Sequence, residues 1–163
     1  RLRPLMISVL KAEEVENDFH ARFSAKKRRY VYKIINRRSP LTIDANRSWC
    51  VHKILDTKKM KNESVSFLGK HDLNAFRSAH CQSKSSIRSI DDIIIDVKDE
   101  NIMIEVEAKS FLHSQVRIMV GTLVDIAKGN IKKTILEIIN SKNREFAGQT
   151  APPNGLYLKK IDY

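Results

Sequence analysis

The stretch S-I-D-D-I-I-I-D-V-K-D-E-N-I-M-I-E-V-E-A, Ser89–Ala108, predicts two strands joined by a turn. In its second half, isoleucine, valine and alanine alternate strictly with methionine and glutamate. A strand with one buried face has this period of two. Lys98-Asp99-Glu100 separates the two apolar runs, so we expect an antiparallel hairpin.

Further elements are predicted on both sides of this hairpin. Strands are expected at Arg28–Asn36, Ser48–His52 and Leu156–Ile161. Helices are expected at Leu112–Lys128 before Gly129, at Lys132–Asn140, and between an N-cap at Asp56 and a terminating Gly69. Loops are expected at His71–Arg88, with a helical turn around Leu73–Phe76, and at Arg144–Asn154.

Strands and helices follow one another without a regular strand–helix–strand succession. This order predicts the α+β class, with a largely antiparallel sheet and helices packed on one face. The length of 163 residues suits one domain, so residues 1–163 are assigned to a single domain.

The chain is strongly basic, with a formal net charge of +11 and a pI of about 9.8. Such an excess favours a polyanionic partner, RNA or DNA first and an anionic membrane second, although a generally basic proteome also explains it. No apolar run approaches the roughly 20 residues of a membrane span, and Arg1–Leu10 lacks a signal-peptide pattern. We therefore expect a cytoplasmic protein without a membrane segment.

Metal and cofactor sites are not predicted. Cys50 and Cys81 do not have metal-ligand spacing, the five histidines form no ligand set, and no glycine-rich phosphate loop occurs. The two cysteines are expected to be small apolar residues in a reducing compartment.

A basic run with interleaved aromatic residues extends from His20 to Arg38. It contains eight lysines and arginines, and no acidic residue lies between Phe19 and Ile43. Cations bind phosphates and aromatic rings stack on unpaired bases, so the run suits RNA. A solvated basic loop that leads into an ordinary strand is an equally good interpretation.

Two other segments are candidates for RNA contact. His113, Arg117 and Gly121 are spaced four residues apart and should form one stripe at the margin of the apolar arc of their helix. At this margin Arg117 either pairs with an anionic partner or extends from the edge of the core to water. Gly121 has no side chain, so a ligand or another backbone can approach the helix closely. Arg77 and Arg88 bound an acid-free loop that suits phosphate contacts or is simply polar surface.

Five motifs in order carry a family resemblance. They are D-F-H-A-R-F-S-A followed by R-R-Y-V-Y (Asp18–Tyr32), D-L-N-A-F-R (Asp72–Arg77), C-Q-S-K-S-S-I-R (Cys81–Arg88), S-F-L-H-S-Q-V-R-I-M-V-G (Ser110–Gly121) and G-L-Y-L (Gly155–Leu158). Together they resemble the C-terminal half of the tRNA pseudouridine synthase A family. The resemblance implies half of a pseudouridine synthase fold, tRNA as partner, a homodimer in the complete enzyme, and no cofactor or metal.

The same resemblance implies the activity and the residues that perform it. The family isomerises uridine to pseudouridine at positions 38–40, in the anticodon stem-loop of tRNA. Tyr30 matches the active-site tyrosine that stacks on the flipped base, and Arg117 matches the arginine that pairs with the catalytic aspartate. RNA contacts are implied for Tyr30 and for His20, Arg22, Arg28, Arg29, Arg77, Arg88 and His113.

The chain departs from the family in one respect. The motif R-T-D-x-G-V-H, which carries the nucleophilic aspartate, does not occur in these 163 residues. In the family it precedes the segment at which this chain begins, and the chain starts without Met. We therefore expect an N-terminal half to be absent and the chain alone to be inactive. The alternatives are a non-catalytic basic RNA-binding module and an unrelated basic domain associated with a membrane.

Overall fold

The computed structural model describes residues 7–163, and residues 1–6, assigned above to the same domain, lie outside the described residues. Six strands form one sheet. They are β1 (Lys27–Asn36), β2 (Trp49–Val51), β3 (Gly69–Asp72), β4 (Ile87–Lys98), β5 (Asn101–Ala108) and β6 (Leu156–Asp162). Their order is β2-β1-β5-β4-β3, and β6 also pairs with β1. Only the β1–β2 pair is parallel among the pairs described, so the largely antiparallel sheet is confirmed.

The hairpin predicted at Ser89–Ala108 is confirmed as the antiparallel pair of β4 and β5. Lys98 lies opposite Asn101, and the two residues between them form the turn. Asp99 has a φ of 53° there, and aspartate tolerates this left-handed conformation better than most residues.

One face of the sheet is apolar and carries the core. In β5 the buried residues are Ile102, Ile104, Val106 and Ala108, as the alternation predicts. Across the sheet Tyr32 of β1 lies beside Ile104, and Ile95 of β4 lies on its other side. The three helices contribute their buried side chains to the same cluster, so the α+β class with helices on one face is confirmed.

The opposite face of the sheet is mixed, because it carries ion pairs as well as the apolar side chains of Val31, Ile35, Ile94 and Met103. Arg29 and Lys27 donate hydrogen bonds to Glu107, and Lys159 donates to Glu105. The hydrogen bonds from Lys27 and Arg29 lower the pKa of Glu107 below its ordinary value. These ion pairs are partly exposed, as is typical of a face that stays in contact with solvent.

Helix α2 (Gln115–Ala127) is the central helix and begins three residues later than predicted. Ser114, immediately before it, has a φ of 60°, so Leu112–Ser114 form a turn instead of a helical segment. The buried Gln115 side chain accepts the Leu112 N–H at 2.8 Å, which a period-based prediction cannot detect. His113 is therefore not on the helix, and its predicted stripe with Arg117 and Gly121 was wrong.

The other two helices are shorter than predicted. Helix α1 (Thr57–Ser64) begins after Asp56, whose side chain caps Lys59 N–H as expected, and continues as a 3₁₀ turn at Val65–Phe67. Helix α3 (Ile135–Ser141) begins at a Thr134 capping box rather than at Lys132.

Strand β3 replaces part of the loop predicted at His71–Arg88. Gly69 was predicted to end a helix, yet it begins this strand, with a φ of 89°. Ser86, next to β4, donates to Asp72 at 2.5 Å, and this hydrogen bond, helped by Lys142, lowers the pKa of Asp72. The helical turn expected around Leu73–Phe76 is confirmed as a 3₁₀ turn.

Within residues 7–163, no helix is long and apolar enough to cross a membrane.

Candidate functional site

A cleft of about 940 Å³ opens at the N-terminal end of β1. Three segments form its walls: the start of β1 with the turn before it, the loop that leads to β4, and the connection from β5 to α2. The lining residues are Arg22, Phe23, Ala25, Arg28, Tyr30, His80–Ser83, Arg88 and Lys109–Ser114.

Hydrogen bonds join two of the segments that line this cleft. Ser78 N–H donates to the carbonyl of His113 at 3.3 Å, and His113 N–H donates to Cys81 Sγ at 3.4 Å. Arg77 does not line the cleft but holds the same loop, because its Nη2 donates to the carbonyls of Cys81 and Ser83 at 2.8 Å. These bonds fix the width of the cleft without any regular secondary structure.

The Cys81 thiol is the buried sulfur of this junction. Burial raises the pKa of the thiol, but the hydrogen bonds from backbone N–H groups and the nearby Arg77 charge outweigh burial, and the pKa is lowered. A larger fraction of Cys81 is therefore thiolate at a given pH than burial alone would allow.

Tyr30 and Phe111 form the aromatic wall of the cleft. Their ring centroids are 5.3 Å apart with an interplanar angle of 83°, an edge-to-face contact that fixes both rings. Both side chains are half-buried, so each retains an accessible surface. An unstacked base can lie against such a surface.

The charge of the cleft is entirely positive. Arg22, Arg28, Arg88 and Lys109 line it, and no aspartate or glutamate does so among the described residues. The Arg28 guanidinium donates to the carbonyls of Arg22 and Lys109, which holds these cationic segments together. A polyanion entering here meets no carboxylate to repel it.

Arg88 has one unused donor. Its Nη groups donate to the carbonyls of Ser85 and Ile87 and to Ser83 Oγ, whereas its buried Nε has no hydrogen-bond partner within the described part of the chain. A buried donor left unsatisfied is uncommon and calls for an explanation.

Five of the residues selected from the sequence line the cleft: Arg22, Arg28, Tyr30, Arg88 and His113. Four do not. Arg77 supports a wall from behind, and the exposed His20 accepts the Arg22 N–H at its Nδ1 in the preceding turn. Arg29 lies on the opposite face of the sheet, where it pairs with Glu107 at 2.6 Å.

Arg117 is the fourth residue outside the lining, and it lies on α2. Its Nε donates to the carbonyl of Ala151 at 2.6 Å, and Ala151 N–H donates back to the Arg117 carbonyl at 3.1 Å. No carboxylate of residues 7–163 is within 4.0 Å of its guanidinium. Arg117 is thus a half-buried cation without an ion-pair partner in the described chain.

Gly121, one turn further along α2, allows a close approach, as predicted. A Cβ atom here would lie 1.9 Å from the Gln149 carbonyl oxygen, so another backbone occupies the space that glycine leaves.

Tyr32 connects the strand to the region of Arg117. Its ring is fully buried, and its hydroxyl donates to the carbonyl of Pro152 at 2.6 Å. Burial raises the pKa of this phenol well above its ordinary value, and the charge of Arg117 opposes the rise only in part. Tyr32 is therefore a neutral hydrogen-bond donor at neutral pH.

Sequence reasoning did not select Lys109, Phe111 or Cys81 as site residues. Phe111 lies within the S-F-L-H-S motif, two residues before His113, so attention to that motif could have found it. Lys109 directly follows the last residue of β5, so the alternation of the strand does not predict the direction of its side chain. Among the described residues, no group of three metal-ligating side chains occurs.

Comparison with known proteins identifies relatives over the whole chain. Residues 64–163 match the family model described as tRNA pseudouridine synthase. The tRNA pseudouridine synthase A of Ehrlichia chaffeensis is 52% identical over 163 residues, and that of Anaplasma phagocytophilum is 50% identical. The protein of the same name from Parvibaculum lavamentivorans is 43% identical. In each case 99% of this chain is aligned, and it spans 66% of the relative, slightly less than two thirds.

Proposed function

The chain belongs to the tRNA pseudouridine synthase family, and we propose from this premise that it forms one side of an active site that isomerises uridine in tRNA. The observation that carries the proposal is the acid-free cationic cleft with Tyr30 in its wall. The family resemblance directs it to uridines 38–40 of the anticodon stem-loop.

Phosphate binding is the role proposed for the cations of the cleft. Arg22, Arg28, Arg88 and Lys109 are positioned around one opening, so they can contact successive phosphates of a loop that enters it. His113 and His80 add hydrogen-bonding groups at the same opening.

Tyr30 is proposed to receive the flipped base. Extruding a nucleotide from its stack costs a few kcal/mol. Stacking on an aromatic ring recovers about 1–3 kcal/mol per base, so Tyr30 can offset much of that cost. The edge-to-face contact with Phe111 fixes the orientation of the Tyr30 ring in the wall of the cleft.

The chemical steps follow from the family resemblance. A carboxylate attacks ribose C1′ as the bond from C1′ to uracil N1 breaks, and the released uracil turns. Its C5 then bonds to C1′ and displaces the carboxylate, after which C5 loses its proton and N1 gains one. By the same resemblance, Tyr30 is proposed to assist that proton transfer. The carboxylate is the aspartate of R-T-D-x-G-V-H, which we propose is contributed by residues other than these 163.

Arg117 is proposed to bind that aspartate. Because its Nε is occupied by Ala151, both NH₂ groups of the guanidinium remain for an ion pair with a carboxylate. A half-buried arginine without a partner is costly, so an external carboxylate would stabilise it as well as orient the nucleophile. On this proposal the complete enzyme is a cytoplasmic homodimer, and the 163-residue chain alone is inactive.

Tritium release from tRNA labelled at uridine C5 tests the proposal. In the complete enzyme, which joins this chain to the R-T-D segment, Tyr30→Phe and Arg117→Ala should each lower turnover sharply. Tyr157→Phe and Arg47→Ala are matched controls outside the cleft and should leave turnover unchanged.

Two outcomes would contradict the proposal. Turnover by the 163-residue chain alone would show that the nucleophile lies within it. Near-normal rates for both Tyr30→Phe and Arg117→Ala would remove the roles assigned to them. If the complete protein binds tRNA without any tritium release, the RNA-binding module becomes the better interpretation.

A further inference from the structure

The segment Ala147–Pro152, here called the support loop, leads from the region of α3 towards β6. It has no regular secondary structure, yet each of its six residues is hydrogen-bonded to another element. Arg144 bonds to Ala147, Gly148 and Thr150. Thr122 bonds to Gly148, and Asp125 bonds to Gln149. Arg117 bonds to Ala151, and Tyr32 bonds to Pro152.

Two side chains of α2 hold the start of the support loop. The fully buried Thr122 hydroxyl accepts the Gly148 N–H at 2.9 Å and donates to the Ile118 carbonyl at 2.7 Å. The buried Asp125 carboxylate accepts the Gln149 N–H at 3.1 Å. These contacts leave the loop little freedom to slide along the helix.

The end of the support loop holds Arg117. The Nε donor of Arg117 is paired with the Ala151 carbonyl, and this bond selects one orientation of the planar guanidinium. The Ala151 peptide is held locally as well, because its N–H donates to the Arg117 carbonyl at 3.1 Å. The anchors at Thr122 and Asp125 fix the loop three and two residues earlier, and they therefore limit where the Ala151 carbonyl can lie.

We propose that Thr122 and Asp125 are positioning residues, which orient the Arg117 guanidinium for the catalytic aspartate through the support loop. The inference rests on the proposed function, because it assigns a purpose to the orientation of Arg117. Neither residue lines the cleft, so neither is expected to touch the RNA. Their effect should therefore appear in the chemical step and not in binding.

The substitution Thr122→Val tests the proposal in the complete enzyme. Valine keeps the branched shape but cannot accept the Gly148 N–H, whereas Thr122→Ser keeps the acceptor. A displacement of about 1 Å can cost a catalytic group ~100-fold in rate. We expect single-turnover tritium release by Thr122→Val to fall ~10-fold or more, with the Kd for tRNA changed less than ~2-fold. Thr122→Ser should recover most of the rate.

Ile138→Val, in the buried face of α3, is the control for a general loss of packing. It should leave both the rate per tRNA-binding site and the Kd unchanged. The positioning role is overturned if Thr122→Val lowers the rate and the number of tRNA-binding sites in the same proportion, because a loss of folded protein explains that result. It is also overturned if Thr122→Ser is as slow as Thr122→Val.

Arg117→Ala separates failure of the inference from failure of the proposed function. Normal turnover by Thr122→Val, with Arg117→Ala inactive, would refute only the positioning role. Normal turnover by Arg117→Ala would refute the function assigned to the arginine itself. If Thr122→Val does not fold, Asp125→Asn provides the same test, because it keeps the shape of the side chain while weakening the bond to Gln149. A wild-type rate for Asp125→Asn would then overturn the proposal.

Discussion

Gly121→Ala should destabilise the chain, although alanine is the better helix former. Two effects oppose each other at this position. Replacing glycine by alanine within a helix normally stabilises it by about 1 kcal/mol. The new Cβ, however, would lie 1.9 Å from the Gln149 carbonyl oxygen, where ordinary contacts begin at 3.4 Å. The support loop and α2 would have to separate by about 1.5 Å to admit the methyl group.

That separation would break the anchors at the start of the support loop. The Gly148–Thr122 and Gln149–Asp125 bonds, 2.9 and 3.1 Å long, would be stretched beyond hydrogen-bonding range. Each unsatisfied buried group costs about 1–3 kcal/mol, and overpacking costs a similar amount. Since the loop can relax in part, we expect a net loss of about 2–4 kcal/mol.

Urea unfolding of the chain, followed by the fluorescence of Trp49, measures this loss. Gly129→Ala is the matched control, because a Cβ there has nothing within 4 Å but the φ of 77° is strained for alanine. It should lose about 1 kcal/mol from backbone strain alone. If Gly121→Ala is as stable as the wild type or more stable, helix propensity dominates, and the reasoning from the close approach is refuted.

Three further outcomes are expected. Lys109→Ala should reduce the slope of log Kd for tRNA against log salt concentration by about 0.7–0.9. The control Lys61→Ala, at an exposed position, should leave that slope unchanged. A wild-type slope for Lys109→Ala would show that Lys109 does not contact the RNA. The pKa of Asp72 is lowered below 3.8, so its contribution to stability is complete above about pH 4 and is lost as the pH falls further. Asp72→Asn should therefore lose less stability than the wild type on acidification in urea titrations, and an identical acid limb would contradict this. Bound tRNA should slow the modification of Cys81 by iodoacetamide, measured by mass spectrometry, but not that of Cys50. If tRNA leaves the modification rate of Cys81 unchanged, the RNA binds elsewhere.

The long strands could be predicted from the sequence because burial on one face imposes a period of two. The four residues of β3 could not, since Gly-Lys-His-Asp has no apolar alternation and becomes a strand only through pairing with β4. The start of α2 was misplaced for a similar reason. Its boundary depends on the buried Gln115 side chain, a contact across the turn that the apolar period of the helix does not reveal.

The site was predictable in part. Tyr30 and Arg28 were selected through family motifs, and both line the cleft. Arg29 was selected with them, yet neighbouring residues of a strand point to opposite faces, so Arg28 and Arg29 could not both face one cleft. That rule was already available from the sequence. The position of Phe111 was not, because it depends on the turn before α2.

The support loop also constrains how relatives of this chain can vary. Its partners bind mainly main-chain N–H and C=O groups, which every residue type provides apart from the N–H of proline. The side chains of Gln149 and Thr150 are exposed, so changing them loses only their side-chain bonds to Asp125 and Arg144. Inserting or deleting one residue would instead shift every later group past its partner. We expect that evolution has kept the length of this segment and its glycine at Gly148, where a Cβ would lie 2.8 Å from Thr122 Cα, more strictly than the exposed side chains of Gln149 and Thr150.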